Sequence, residues 1–132
     1  MGAALVTGAN GFVGSHICEA LISSGFEVKA LVRKTSDLAN IKNLNVKLAY
    51  GDLSQPETLP DALQGVDFVI NNAGLTKTLD NSQFIKVNAI GTRNILQAIQ
   101  NHAPNIKRFV LISSTAASGP SSSMTPIAEE HT

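Results

Sequence analysis

The chain has 132 residues, ten acidic and ten basic side chains, and a single cysteine, Cys18. That length supports one domain with a core and not two. The charge balance gives no electrostatic reason to expect nucleic acid or an anionic membrane as partner, and a lone cysteine excludes an internal disulfide. No apolar run approaches the ~20 residues of a membrane span. The apolar start at residues 1–6 lacks a basic flank and breaks at Gly8 too early for a signal peptide, so the cytoplasm is the expected compartment.

Two periodicities alternate along the chain. The apolar run 3–7 reads as a buried strand. Phe12, Val13, Ile17, Leu21 and Ile22 then recur at helical spacing, with Cys18 among them as a small core residue, and Gly25 stops that helix. A second strand is expected at 28–32, a short and poorly defined helix at 36–44, and a third strand at 46–50. Pro56 opens another helix, with Ser54 as its cap, Leu59 and Leu63 on its inner face and Gly65 at its end. Strands at 66–70 and 109–112 flank a long helix, 82–102, whose apolar stripe is Phe84, Ile85, Ile90, Ile95, Leu96 and Ile99. Near-continuous apolar strands alternating with helices predict an α/β fold with a doubly wound parallel sheet of order 3-2-1-4-5. The pattern stops near Ala116. We therefore expect a domain over 1–117, followed at 118–132 by a loop leading towards a C-terminal part beyond this chain.

Between the first strand and the first helix stands Thr7-Gly8-Ala9-Asn10-Gly11-Phe12-Val13-Gly14. In that position each glycine has a mechanical task. Gly8 permits the tight turn, Gly11 lets the backbone approach a pyrophosphate, and Gly14 lets the helix pack close to the sheet. The helix N-terminus then offers N–H groups and partial positive charge to phosphates. A Rossmann-type dinucleotide-binding fold follows from the turn and the strand pattern together.

The spacing Gly-x-x-Gly-x-x-Gly after a Thr resembles the short-chain dehydrogenase/reductase turn. Gly11-Phe12-Val13-Gly14 resembles its extended branch, the NAD-dependent epimerase/dehydratase family with its dihydroflavonol reductases. The resemblance runs from Leu5 to about Glu130. It implies hydride exchange between a nicotinamide cofactor and a carbonyl or secondary alcohol of a small-molecule substrate, a nucleotide sugar among the candidates.

An acid at the end of the second strand would bind the ribose hydroxyls of NAD. Here Arg33 stands there, followed by Lys34. A guanidinium binds a 2′-phosphate bidentately where a carboxylate would repel it, so NADP is the expected cofactor and NAD the alternative; a solvated loop pair is the bland reading of the same two residues. The resemblance gives Asp52 and Leu53 to the adenine, although Asp52 could equally start the turn before Pro56. Asn71-Asn72-Ala73-Gly74 ends the fourth strand, in a form commoner in the single-domain branch of the superfamily. Asn72 and the small Ala73 and Gly74 would lie along the cofactor ribose, with Leu75 and Thr76 following on the nicotinamide side. Gly8, Asn10, Gly11, Phe12, Val13 and Gly14 complete the cofactor set, with Ile112 and Ser113 at the end of the fifth strand.

Val87-Asn88-Ala89-Ile90-Gly91-Thr92 resembles the family's helix facing the cofactor. Asn88, an amide within an apolar helix, would order backbone and water near the active site, or else lie on the solvated side. Gly91, mid-helix, asks for close packing against a neighbour. Aligned on the family, Ser114 is the catalytic hydroxyl that donates to the substrate oxygen, with Thr115 the fallback; a strand end capping the next turn is the alternative. The family's general acid, a Tyr four residues before a Lys, is missing: the one tyrosine is Tyr50 in the third strand, and His131 is no convincing substitute. Two expectations follow: an enzyme portion without turnover of its own, or a non-catalytic dinucleotide sensor. An exposed fifth strand would make a homodimer possible.

Overall fold

The computed structural model describes residues 2–121 and 124–129. Of the tail read from the sequence, Ser122, Ser123, Glu130, His131 and Thr132 lie outside the described residues.

Five parallel strands form one sheet in the order β3-β2-β1-β4-β5. They are β1 (Ala3–Thr7), β2 (Glu27–Val32), β3 (Val46–Tyr50), β4 (Phe68–Asn71) and β5 (Arg108–Leu111). The registers run Val6 beside Ala30 and Ile70, Ala30 beside Leu48, and Ile70 beside Val110. The expected α/β architecture and strand order are thus observed. Central β1 is apolar up to Thr7 because both its faces are covered: Ala4, Leu5 and Val6 are fully buried. Successive side chains alternate between two cores. Leu5, Leu31 and Val69 pack on one face with Leu59, Leu63 and Ile95. Val6, Ala30 and Val32 pack on the other with Cys18 and Ile41. Burial pushes the Cys18 thiol up to about 11, which fits a core residue and not a reactive one.

Helix α1 (Phe12–Ser23) covers the Val6 face, and α2 (Leu59–Leu63) and α4 (Gly91–His102) cover the Leu5 face. Residues 36–44 are not helical, against expectation. Their polar side chains take the backbone groups a helix would need: the Asp37 carboxylate accepts the Ala39 N–H at 2.9 Å, and Ser36 Oγ accepts from Arg33 N at 3.0 Å. Apolar Ile41 still reaches the core, at 2% exposure. Ser54 does not cap the helix near Pro56. That segment opens as a 3₁₀ turn, Pro56–Thr58, with Gln55 at the cap position, while Ser54 donates to Asp52. The fourth strand starts at Phe68, two residues later than expected, after Val66 N–H has closed the α2 turn on Leu63 O at 3.3 Å.

The long helix expected at 82–102 is continuous but not uniform. It runs as α3 (Ser82–Phe84), a π-helical stretch (Ile85–Ile90) and α4. Such wide turns often sit at functional sites, and this one contains Asn88. After β5 the chain makes one 3₁₀ turn, Thr115–Ser118, so regular structure extends a residue past the expected boundary at 117. Among the described residues no helix is long and apolar enough to cross a membrane.

Candidate cofactor-binding site

The carboxyl ends of β1 and β4 meet in a buried polar knot. Thr7 Oγ1 donates to Asn71 Oδ1 at 2.6 Å and accepts from the N–H groups of Asn72 and Ala73 at 3.1 and 2.9 Å. Asn71 Nδ2 donates to Thr92 Oγ1 at 3.1 Å, and Thr92 Oγ1 donates to the Asn88 carbonyl at 2.6 Å. Thr7 and Asn71 are fully buried; each polar atom has a partner, as burial demands. Sequence reasoning gave neither side chain a role. A buried threonine and amide at adjacent strand ends was the available signal, since apolar strands rarely end that way without a network.

The glycine turn closes over this knot. Gly8 takes φ +63°, and a Cβ there would lie 2.9 Å from Ala73 Cα, so the turn and the end of β4 are in backbone contact. Asn72 Nδ2 bridges the same gap to Gly8 O at 3.3 Å. A side chain on Gly14 would run into the Gly8 carbonyl and come within 2.9 Å of Ala9 Cα. Gly14 therefore fits the helix to its own preceding turn, and not to the sheet as expected. Gly11 is different: an added Cβ would meet only Gly8 O, at 3.4 Å. Gly11 is the N-cap of α1, no side chain caps that helix, and no acid stands in its first turn. Its leading N–H groups and partial positive charge are therefore available to an anion.

Beyond the turn opens a cavity of about 410 Å³. Of the expected cofactor residues, Gly8, Asn10, Arg33, Asp52, Leu53, Ala73 and Gly74 line it together. Gly11, Phe12, Val13, Gly14, Asn72, Thr76, Asn88, Ile112 and Ser113 do not. Phe12 is 78% exposed beside its neighbour His16, with ring centroids 4.8 Å apart. Val13, Thr76, Ile112 and Ser113 are also exposed. Asn10 is held by the 36–44 loop: its Nδ2 donates to Asp37 O at 3.0 Å, and its carbonyl accepts from Asn40 Nδ2 at 2.9 Å. Residues the sequence reading did not assign complete the lining, among them Leu31, Ser36, Ser54, Gln83, Lys86 and Val87.

Arg33 is exposed at the end of β2, and its guanidinium has no carboxylate partner among the described residues. Asp52 starts the turn before Pro56 and also lines the cavity. Its Oδ1 accepts the Ser54 N–H and hydroxyl, each at 2.8 Å. Leu53 is fixed from behind: Asn94 Nδ2 donates to its carbonyl at 2.7 Å, and a Cβ on Gly91 would stand 3.3 Å from Leu53 Cβ. Close approach of α4 to Leu53 thus explains the mid-helix glycine.

Asn88 is exposed, not buried in the helix. The π-helical turn carries its amide to the loop after β4, where Oδ1 accepts Leu75 N–H at 2.7 Å and Nδ2 donates to Leu75 O at 3.1 Å. Asn88 thereby holds both backbone groups of a cavity-lining residue. Ser114 stands at the end of β5 as the cap of the following turn, its Oγ accepting from Ala116 N at 3.2 Å. An accepted bond uses only a lone pair, so its proton remains available to a second partner. Ser114 and Thr115 do not line the 410 Å³ cavity.

The model of the NAD dependent epimerase/dehydratase family matches residues 4–132. "Sterol demethylase protein B" of Methylococcus capsulatus is 36% identical over 117 residues, 87% of this chain and 35% of that protein. The "Ceramide reductase" of Caulobacter vibrioides is 35% identical over 120 residues, 91% of this chain and 37% of that protein. Among solved structures, gox2253 superposes with a TM-score of 0.86 at 40% identity, covering 96% of this chain and 38% of that one. A short-chain dehydrogenase/reductase superfamily protein from Agrobacterium tumefaciens with bound NAD gives 0.80 at 25% identity, over 98% and 38% of the two chains. The chain spans little more than a third of the length of these relatives. With the strand order, the glycine turn and the cavity beside it, the match over residues 4–132 makes this chain a member of the NAD dependent epimerase/dehydratase family.

Proposed function

We propose that this chain is the dinucleotide-binding portion of a cytoplasmic NADP-dependent oxidoreductase acting on a carbonyl or secondary alcohol of a small molecule. One observation carries the reading: Gly8, Arg33 and Asp52, from the ends of three different strands, line a single cavity beside the uncapped N-terminus of α1. Ligands bind in doubly wound sheets outside these carboxyl ends. The residues present fit a dinucleotide. Gly8 and Gly14 leave no room for side chains where the backbone must run close, and the free N–H groups of α1 suit a pyrophosphate. Leu31, Leu53 and Val87 offer apolar surface to an adenine ring.

In this reading Arg33 binds the 2′-phosphate and Asp52 the adenine, with Ala73 and Gly74 against the ribose. When bound, a nicotinamide dinucleotide supplies hydride chemistry. The chain's own part is to orient and to polarise. Asn88 holds the Leu75 backbone on the cavity wall, and the Ser114 hydroxyl donates its proton as a hydrogen bond to a substrate oxygen. Ser114 is not a proton source, because a hydroxyl does not ionise near neutrality. The two curated relatives are about two and a half times as long and one is named a reductase, which supports an enzyme over a sensor. The test is calorimetry with NADPH and NADH on the wild type and Arg33→Asp. A charge-assisted hydrogen bond contributes about 1.5–3 kcal/mol, so Arg33→Asp should cost NADPH about 10- to 100-fold in affinity and spare NADH. An unchanged NADPH-to-NADH ratio would refute the cofactor assignment.

A further inference from the structure

We infer that Lys86 is a second phosphate-binding residue, which grips the 2′-phosphate of the cofactor together with Arg33. The inference rests on the NADP reading and deepens it. Lys86 lines the same cavity as Arg33 but comes from the helix rather than the sheet. Gln83, Lys86, Val87 and Gly91 all face the cavity, at the i, i+3, i+4 and i+8 spacing of one helix face. The helix is anchored at Gly91 and Asn94 on Leu53, the residue after Asp52. Lys86 lies five residues before Gly91, in the π-helical stretch, and shares the cavity lining with Asp52, Arg33 and Ser36.

The charges of the cavity then fail to balance without a ligand. Its ionisable lining residues are Arg33, Lys86 and Asp52, two cations against one anion. Asp52 already spends Oδ1 on Ser54. Neither cation is offset elsewhere: the ion pairs among the described residues are Lys47–Glu27 and Lys107–Asp67. NAD has only hydroxyls at this position and gives a second cation nothing to bind. A phosphate monoester carries about −1.5 to −2 charge at neutral pH, which matches one guanidinium and one ammonium. Arg33 supplies a planar fork for bidentate contact, and Lys86 a movable point charge.

The experiment titrates the full chain and its Lys86→Gln, Lys86→Arg and Arg33→Gln variants with adenosine 2′,5′-bisphosphate, 5′-AMP, NADPH and NADH. Lys86 is exposed, and unchanged thermal melts would establish that the variants fold. Lys86→Gln should weaken the bisphosphate and NADPH by about 5- to 30-fold, the range of one charged hydrogen bond near the surface. It should leave 5′-AMP and NADH within about two-fold, Lys86→Arg should recover most of the loss, and raising the salt should shrink it. Equal losses on the bisphosphate and 5′-AMP would place Lys86 on a different phosphate and overturn the inference, as would no loss on any ligand. If Arg33→Gln weakens NADPH while Lys86→Gln does not, only the second grip fails. If neither does, the NADP reading fails with it.

Discussion

The ends of β1 and β4 and the end of β5 face the same way on one sheet, yet they are built differently. At the first, Thr7 and Asn71 are fully buried, and their side chains bind two strands and the helix carrying Asn88 into one network, to which Asn72 ties the glycine turn. At the second, Ile112 N–H reaches Asn71 O at 3.0 Å, and beyond it the bonds are local: Ser114 caps its own turn and Ser118 Oγ donates to Thr115 O at 2.8 Å. Leu111 and Ile112 are 50% and 42% exposed. The residues that line the cavity beside the first of these ends run from Thr7 to Gly91. The end of β5 has the Ser114 hydroxyl in place, outside the lining of the cavity.

The harshest way to break the first region is Gly14→Val. Its branched side chain would collide with the Gly8 carbonyl and the Ala9 backbone. Overpacking against backbone typically costs about 1–3 kcal/mol or more, so the melting temperature should fall sharply and NADPH binding should vanish with the fold. Circular dichroism during heating measures the first and calorimetry the second. A Gly14→Val protein as stable as wild type would mean that the turn is not the rigid cradle described.

The second region is tested by activity. Tyr50, the only tyrosine of the chain, lies on β3, at the opposite sheet edge from Ser114 on the β5 side. Four strand spacings of about 4.8 Å separate those edges, roughly 19 Å, so it cannot protonate an oxygen held by Ser114. A positioned acid contributes about 10²- to 10⁴-fold. NADPH oxidation by this chain, on ketones, aldehydes and nucleotide sugars, should therefore not rise above the background of Ser114→Ala. Turnover above that background would show that these residues hold a proton donor after all.

The difference between the two regions also governs what the sequence could reveal. The strand order was legible because each strand carries an apolar core and strands alternate with helical patterns, which predicts parallel crossovers. The glycine turn was legible because its spacing follows from backbone contact alone. Failure came where side chains compete with the backbone. Ser36, Asp37 and Asn40 turn 36–44 into a loop tied to Asn10, although Leu38, Ile41 and Leu44 mimic a helical stripe. The π-helical stretch was not legible: it leaves Ile85 and Ile90, both on the expected apolar stripe, 64% and 37% exposed, and the pairing of Asn88 with Leu75 thirteen residues away reveals its use. Lys86 and Gln83 escaped notice as well. Their place on the cavity wall depends on how Gly91 seats on Leu53, which is a packing fact and not a pattern in sequence.

The central claim is that the turn at residues 8–14 holds a dinucleotide pyrophosphate, and Gly11→Val tests it most directly. The added side chain meets only Gly8 O, at 3.4 Å for Cβ, so the fold should survive, while the branched group stands where the phosphates approach the α1 N-terminus. Calorimetric titration with NADPH should give one site per chain for the wild type and no measurable binding for Gly11→Val, with melting temperatures that agree closely. Equal affinity for NADPH in the two proteins would contradict the account.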